Sequence, residues 1–206
     1  MVRPDVSTGS ATRIGIIGGS FDPPHNGHIA IARSFLESDL IDELWILPAP
    51  DPPHKRDQTL SAFSVRYKLA ELAFSELKLV RVLAVEDQLP KPSYSVRTVN
   101  YLQNAHPQAD FYLCIGSDSA LQFHRWFRFE QILDMVGLLV AARPGFDIQD
   151  LDPRVSAKVT LVNHEPTGES STEIRERMAH GKDVSSLIPD LVEAEIRASG
   201  HYRYPE

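Results

Sequence analysis

Two histidines three residues apart, His25 and His28, follow the loop Gly18-Gly19-Ser20-Phe21-Asp22-Pro23-Pro24 and stand where a helical apolar pattern (Ile29, Ala32, Leu36) begins. Positions i and i+3 of a helix share a face, so both imidazoles can reach the same space. Three chemistries suit such a pair. One is zinc ligation, although no third or fourth ligand stands at a metal-like spacing. Another is ordinary helix capping or surface exposure. The third is donation to a phosphate beside the unpaired amides of a helix N-terminus, where dipole and donors both favour an anion.

A second stretch has the same character. In Ser170-Ser171-Thr172-Glu173-Ile174-Arg175, Ser170 and Glu173 have the spacing of a capping box. An arginine near a helix start costs a few tenths of a kcal/mol, about 0.3 or more, unless an anion lies close by. Ser171, Thr172, Arg175 and the first amides can converge on that anion, whereas Arg177 reads as a solvated charge. Lys55 closes the proline-stiffened loop Ala49-Pro50-Asp51-Pro52-Pro53-His54 and is either a surface lysine or a further phosphate ligand. Trp126 is a core anchor or a flat platform for an aromatic ring. Asp118, two residues after Gly116, caps the next helix or binds hydroxyls or a cationic ring. Other chemistries lack their motifs: there is no Gly-x-Ser-x-Gly elbow, no Gly-Lys-Ser/Thr after a glycine loop, and Gly15, Gly18 and Gly19 do not make Gly-x-Gly-x-x-Gly.

The elements that must position these groups alternate. Apolar runs at residues 14–17, 42–48, 79–85, 110–115, 137–142 and 158–162 read as strands. Helical periodicity marks residues 61–77, with Val65, Leu69, Leu72 and Ala73 on one face, and a segment from Ser95 with Val96, Val99 and Leu102. Ile174 and Met178 supply the buried face of a helix stopped by Gly181, and Pro189 opens another that ends at Gly200. Residues 146–157, with Pro153 and several acids, read as a mobile surface loop. The alternation predicts an α/β fold: a Rossmann-like open parallel sheet with helices on both faces. Glycines closing strands at Gly19 and Gly116 place the site at the sheet's carboxyl edge.

Composition narrows the class. With 206 residues and 42% hydrophobic content the chain can bury a large core, read as one domain over 13–206 after a flexible leader at 1–12. A net charge of −7 argues against a general nucleic-acid binder. No apolar run approaches about 18 residues, so no membrane segment is expected. The single cysteine, Cys114, lies in an apolar run and reads as a packed thiol, in keeping with a reducing, cytoplasmic setting. Size and charge are as compatible with a homo-oligomer as with a monomer.

Gly-Ser-Phe-Asp-Pro with His-x-Gly-His, followed far downstream by Ser-Ser-Thr-x-Ile-Arg, resembles the nucleotidylyltransferase superfamily. Pro52-Pro53-His54-Lys55, Ser93-Tyr94-Ser95, Gly116-Ser117-Asp118, Trp126 and Arg143-Pro144-Gly145 are similar to the bacterial branch that adenylylates nicotinate mononucleotide. The resemblance spans nearly the whole chain and implies the nucleotidylyltransferase fold, with ATP and nicotinate mononucleotide as small-molecule substrates and nicotinate adenine dinucleotide and pyrophosphate as products. It implies catalytic roles for His25, His28, Lys55 and Arg175, and ATP binding by Gly19, Ser20, Phe21, Gly116, Ser171 and Thr172. Nicotinate mononucleotide would meet Tyr94, Ser95, Asp118, Trp126 and Phe127. Magnesium would arrive on the substrate phosphates, with no protein metal site. The chain departs from the family's usual pattern at Ser95 (often threonine), at Arg97 (often an acid) and near Glu195, where an aromatic is usual.

Overall fold

The computed structural model describes residues 11–55, the Lys55 side chain excepted, and residues 59–202. Six strands form one sheet: β1 Thr12–Gly19, β2 Glu43–Pro48, β3 Val80–Val82, β4 Ala109–Gly116, β5 Gly137–Ala142 and β6 Val159–Asn163. All pairings are parallel and the spatial order is β3-β2-β1-β4-β5-β6. The chain thus winds outward from β1 to one edge, returns, and winds from β4 to the other. β1 begins at Thr12, inside the expected leader; residues 1–10 of that leader lie outside the described residues.

Strand alternation sorts the core into two layers, because successive side chains point to opposite faces. Ile17, Leu44, Ile46, Cys114, Leu139 and Ala141 face helices α1 (Asn26–Leu36), α2 (Phe63–Phe74), α7 (Ser171–Ala179) and α8 (Asp190–Ser199). Ile14, Ile16, Trp45, Leu47, Leu113, Ile115, Leu138 and Val140 face α3 (Ser95–Ala105), α4 (Ser117–Leu121), α5 (Phe129–Met135) and α6 (Pro153–Ser156). Gly15 in β1 is a close-approach position: a Cβ there would stand 2.6 Å from Ile41 and 2.9 Å from both Cys114 and Leu44. Cys114 is fully buried, and burial raises its thiol pKa, as a packed thiol requires.

Two expectations change. Residues 146–157 are not an unstructured loop: they hold a 3-10 turn over Ile148–Asp150 and the short α6, with Asp147 and Asp152 accepting from the amides of Gln149 and Arg154. Leu151 and Val155, four apart, are buried and tie the segment to the second core layer. The third strand is only three residues long, and the chain that follows turns into a 3-10 segment, Val85–Gln88.

Candidate active site

β1 and β4 are adjacent, and their helices leave on opposite faces of the sheet, so a crevice opens at their carboxyl ends. Gly18 and Gly116 leave room there: a Cβ on Gly18 would meet nothing within 4 Å, and one on Gly116 only Ile31 at 3.7 Å. After Gly19 the chain turns through Phe21, whose φ of +50° is left-handed. The Phe21 ring is 1% exposed and packs against Phe74 and His28, at 6.0 and 5.0 Å between ring centres. It anchors the loop, so Phe21 offers a ligand its main chain rather than its ring.

His25 is the N-cap residue of α1, and its backbone amide donates to His28 Nδ1 at 3.1 Å. An Nδ1 that accepts leaves the proton of the neutral ring on Nε2, so this bond fixes His28 as an Nε2–H donor. The two imidazoles lie 3.7 Å apart between ring centres, tilted by 38°. Gly27 permits this: a Cβ would press to 3.0 Å from His25 Nδ1 and 3.2 Å from the Thr167 hydroxyl.

The second cradle is brought onto the first. Arg175 Nη1 donates to the Asp22 carbonyl at 2.7 Å, and the Ser171 hydroxyl donates to the Pro23 carbonyl at 2.9 Å. Arg175 Nη2 also approaches the Thr172 hydroxyl at 3.4 Å. Ser170 caps α7 by accepting from the Glu173 amide, but the Glu173 carboxylate turns to Arg177 at 2.8 Å rather than completing a reciprocal box. The loop that enters α1 and the first turns of α7 therefore meet at Asp22-Pro23.

Beneath this junction lies a buried polar network that sequence inspection did not single out. Arg66 is 1% exposed and donates to four carbonyls: Ser20 at 2.7 Å, Ala49 at 2.8 Å, Ser61 at 2.9 Å and Pro50 at 3.3 Å. Asp22, equally buried, accepts from the Tyr202 hydroxyl at 2.6 Å and from the Ser61 amide at 3.2 Å. Burial lowers the guanidinium pKa while the Asp22 charge opposes that shift; burial and the bond to Asp22 raise that of Tyr202. Arg66 occupies the stripe of Leu69, Ala70 and Ala73 at i, i+3, i+4 and i+7. A charge on an apolar stripe was the available signal.

Three of the predicted acceptor residues are aromatic, and Tyr94 and Trp126 pack against the second core layer. Tyr94 and Phe127 pair at 4.5 Å, and Trp126, half-buried between Phe123 and His54, stands 5.8 Å from the His54 ring. Trp126 is thus both a packed residue and a partly open face. Tyr94 is the N-cap position of α3 and Ser95 its first residue, with no side-chain cap and no acid in the first turn. Arg97 lies over Tyr94 and donates to the Pro90 carbonyl at 3.0 Å, so this departure from the family pattern secures the preceding loop. Asp118 does not cap α4; it pairs with Arg143 at 3.0 Å on an exposed surface. The backbone of Lys55 closes a 3-10 turn, Pro53–Lys55, at this edge, while its side chain lies outside the described residues. Among the described residues no cluster of three His, Cys, Asp or Glu could hold a metal ion, and no helix is long and apolar enough to cross a membrane.

Residues 16–177 match the cytidylyltransferase-like family profile. A probable nicotinate-nucleotide adenylyltransferase of Bacteroides fragilis is 40% identical over 188 residues, covering 90% of this chain and 91% of that protein. The nicotinate-nucleotide adenylyltransferase of Bacillus subtilis is 34% identical over 191 residues, covering 92% and 98%. In fold, the chain is similar to Plasmodium falciparum nicotinic acid mononucleotide adenylyltransferase complexed with NaAD, with a TM-score of 0.74, 18% identity, and 93% and 97% of the two chains covered. The chain belongs to the cytidylyltransferase-like family, alongside these nicotinate-nucleotide adenylyltransferases.

Proposed function

We propose that the protein transfers the adenylyl group of ATP to nicotinate mononucleotide, forming nicotinate adenine dinucleotide and pyrophosphate in NAD biosynthesis. The observation that carries this reading is the docking of the first turns of α7 onto the loop that enters α1, through Arg175 and Ser171 at Asp22-Pro23, in a chain that also pairs the rings of Tyr94 and Phe127. The former suits a polyphosphate and the latter a flat ring, and relatives covering nearly the whole chain carry that activity in their names.

ATP lies across the β1–β4 crevice, with Gly19, Ser20, Phe21 and Gly116 offering main chain. His28 Nε2–H, His25, the α1 amides, Ser171, Thr172 and Arg175 face its phosphates. Lys55, on its proline-stiffened loop, supplies a further cation. Nicotinate mononucleotide lies against Tyr94, Ser95, Trp126 and Phe127, with Asp118 at its edge. An acceptor phosphate oxygen attacks the α-phosphorus in line; the bond to the α–β bridging oxygen breaks, and its electron pair leaves with pyrophosphate. The nucleophile needs no general base, because the second pKa of a phosphate monoester is near ~6. Catalysis is then alignment plus stabilisation of charge on the leaving group. Magnesium enters as part of the nucleotide substrate, since imidazoles, hydroxyls and amides fit phosphate oxygens better than they fit a hard dication. The reaction's soluble substrates suit a cytoplasmic setting.

The test is pyrophosphate release from ATP and magnesium with nicotinate mononucleotide, nicotinamide mononucleotide or phosphopantetheine as acceptor. Turnover with nicotinate mononucleotide is expected to be fastest. Turnover with phosphopantetheine alone, or ATP binding without turnover, would overturn the assignment.

A further inference from the structure

One buried ionisable group borders the predicted acceptor residues without a role in the transfer. Glu86, in the 3-10 segment after β3, is 5% exposed. Its Oε1 accepts from the Thr98 hydroxyl at 2.8 Å, whereas the buried Oε2 has no hydrogen-bond partner. Thr98 lies one turn beyond Ser95 in α3, so the carboxyl sits within roughly a helical turn of that helix's first amides. Ser93, at the entrance to the same helix, is tied to the loop at Asp51: its amide donates to the Asp51 carbonyl at 3.0 Å and its hydroxyl accepts from the Asp51 amide at 3.3 Å.

The surrounding charges are committed elsewhere. Asp87 pairs with Lys91, Arg97 covers Tyr94, and Arg81 covers Trp45. Asp51 and His54 belong to the neighbouring loop, and none of these forms an ion pair with Glu86 among the described residues. The Glu86 carboxyl is therefore one anion within reach of the positive end of α3, and an acceptor lying against Ser95 would bring its ring substituent to the same first amides.

We propose that Glu86 is a specificity-determining residue that reads the charge of the acceptor's ring substituent: its ionised carboxylate opposes a ring carboxylate at the α3 N-terminus, and its protonated form admits one. This rests on the acceptor reading given above. Burial pushes the Glu86 carboxyl up to about 7, against the Thr98 and Ser93 hydroxyls, which favour the charged form. The choice between the two forms thus falls near neutral pH. By linkage, binding of a ring carboxylate promotes protonation of Glu86 to the same degree that protonation promotes binding.

The experiment measures dissociation constants of nicotinate mononucleotide by calorimetry from pH 6 to 8, for the wild type and Glu86→Gln. Titration of the ligand's own phosphate is common to both proteins and cancels in their ratio. Wild-type affinity is expected to fall about tenfold relative to the variant over that range, the most that one ionisation near 7 gives between one pH unit below it and one above. With nicotinamide mononucleotide, which lacks the ring carboxylate, the relative fall should be absent. Thr98→Val, which removes a bond favouring the carboxylate, should move the midpoint upward and supplies the test if Glu86→Gln fails to fold. Parallel profiles for the two proteins, an equal divergence with the amide acceptor, or an unmoved Thr98→Val midpoint would overturn the inference and leave adenylyl transfer standing. Absence of turnover with nicotinate mononucleotide would instead overturn the function, and this inference with it.

Discussion

Replacing Arg66 with methionine tests whether the buried network holds the two site loops. The guanidinium gives four hydrogen bonds to carbonyls from three places in the chain: Ser20 after β1, Ala49 and Pro50 after β2, and Ser61 before α2. Methionine fills most of the volume but donates nothing, so these carbonyls lose their donors and Asp22 loses a compensating charge. A buried, unpaired acceptor costs about 1–3 kcal/mol, and removing one partner of a buried charge pair about 3–5 kcal/mol overall. With a urea slope near ~2.5 kcal/mol/M, a loss of about 4 kcal/mol lowers the unfolding midpoint by ~1.6 M. Because Ser20 lies in the phosphate loop and Ala49-Pro50 leads to the basic one, ATP affinity should also fall at urea-free concentrations where the variant is folded. Arg66→Lys, which keeps the charge and some donors, should fall between. The measurement is urea unfolding followed by circular dichroism, paired with calorimetric ATP binding. A stability loss below about 1 kcal/mol with unchanged ATP affinity would refute the account, since water would then be serving the carbonyls equally well.

His28→Ala should lower kcat by about 10²–10³, the usual cost of removing a donor to developing charge, while the loss of its bond to the His25 amide costs only about 1 kcal/mol of stability. Steady-state kinetics beside thermal melts separates these, and unfolding in proportion to lost activity would make the histidine structural. Tyr202→Phe removes the 2.6 Å hydroxyl bond to Asp22 and should cost about 1.5–3 kcal/mol in denaturant unfolding; an unchanged midpoint would show that Tyr202 does not secure the loop. Glu86 predicts a pH-dependent stability. The folded carboxyl keeps its proton up to about 7, the unfolded one only to ~4.3, so between these values the native state binds more protons and stability falls as pH rises, by about 4 kcal/mol in total. Glu86→Gln lacks that fall and should gain about 3 kcal/mol on the wild type between pH 4 and pH 8 in urea titrations; parallel curves would place the carboxyl at its ordinary value.

What was legible in the sequence was whatever one stretch of chain specifies by itself. β1, β2, β4 and β5 are apolar runs bounded by glycine, proline or polar residues, and a strand buried on both faces needs nothing else to announce it, while the edge strand β6 shows the same kind of run with only Val162 buried. The two cradles were visible because helix starts carry local signals, and the folded chain brings residues 148 and 153 positions apart into contact between them. The segment at 146–157 was misjudged because its signals are sparse: Asp152-Pro153 is a helix start, but only Leu151 and Val155 show a buried face. Arg66, Asp22 and Glu86 were missed for a different reason. Each is a charged residue in an interior, and what makes it tolerable there lies elsewhere in the chain: carbonyls at the ends of β1 and β2 for Arg66, a hydroxyl 180 residues away for Asp22, and a threonine on another helix for Glu86. Periodicity assigns such residues to the surface by default, because burying a charge without partners is prohibitive. A charge that breaks an apolar stripe, as Arg66 does beside Leu69 and Ala73, is therefore where partners from distant loops should be sought. Here the partners are the loops that carry the site.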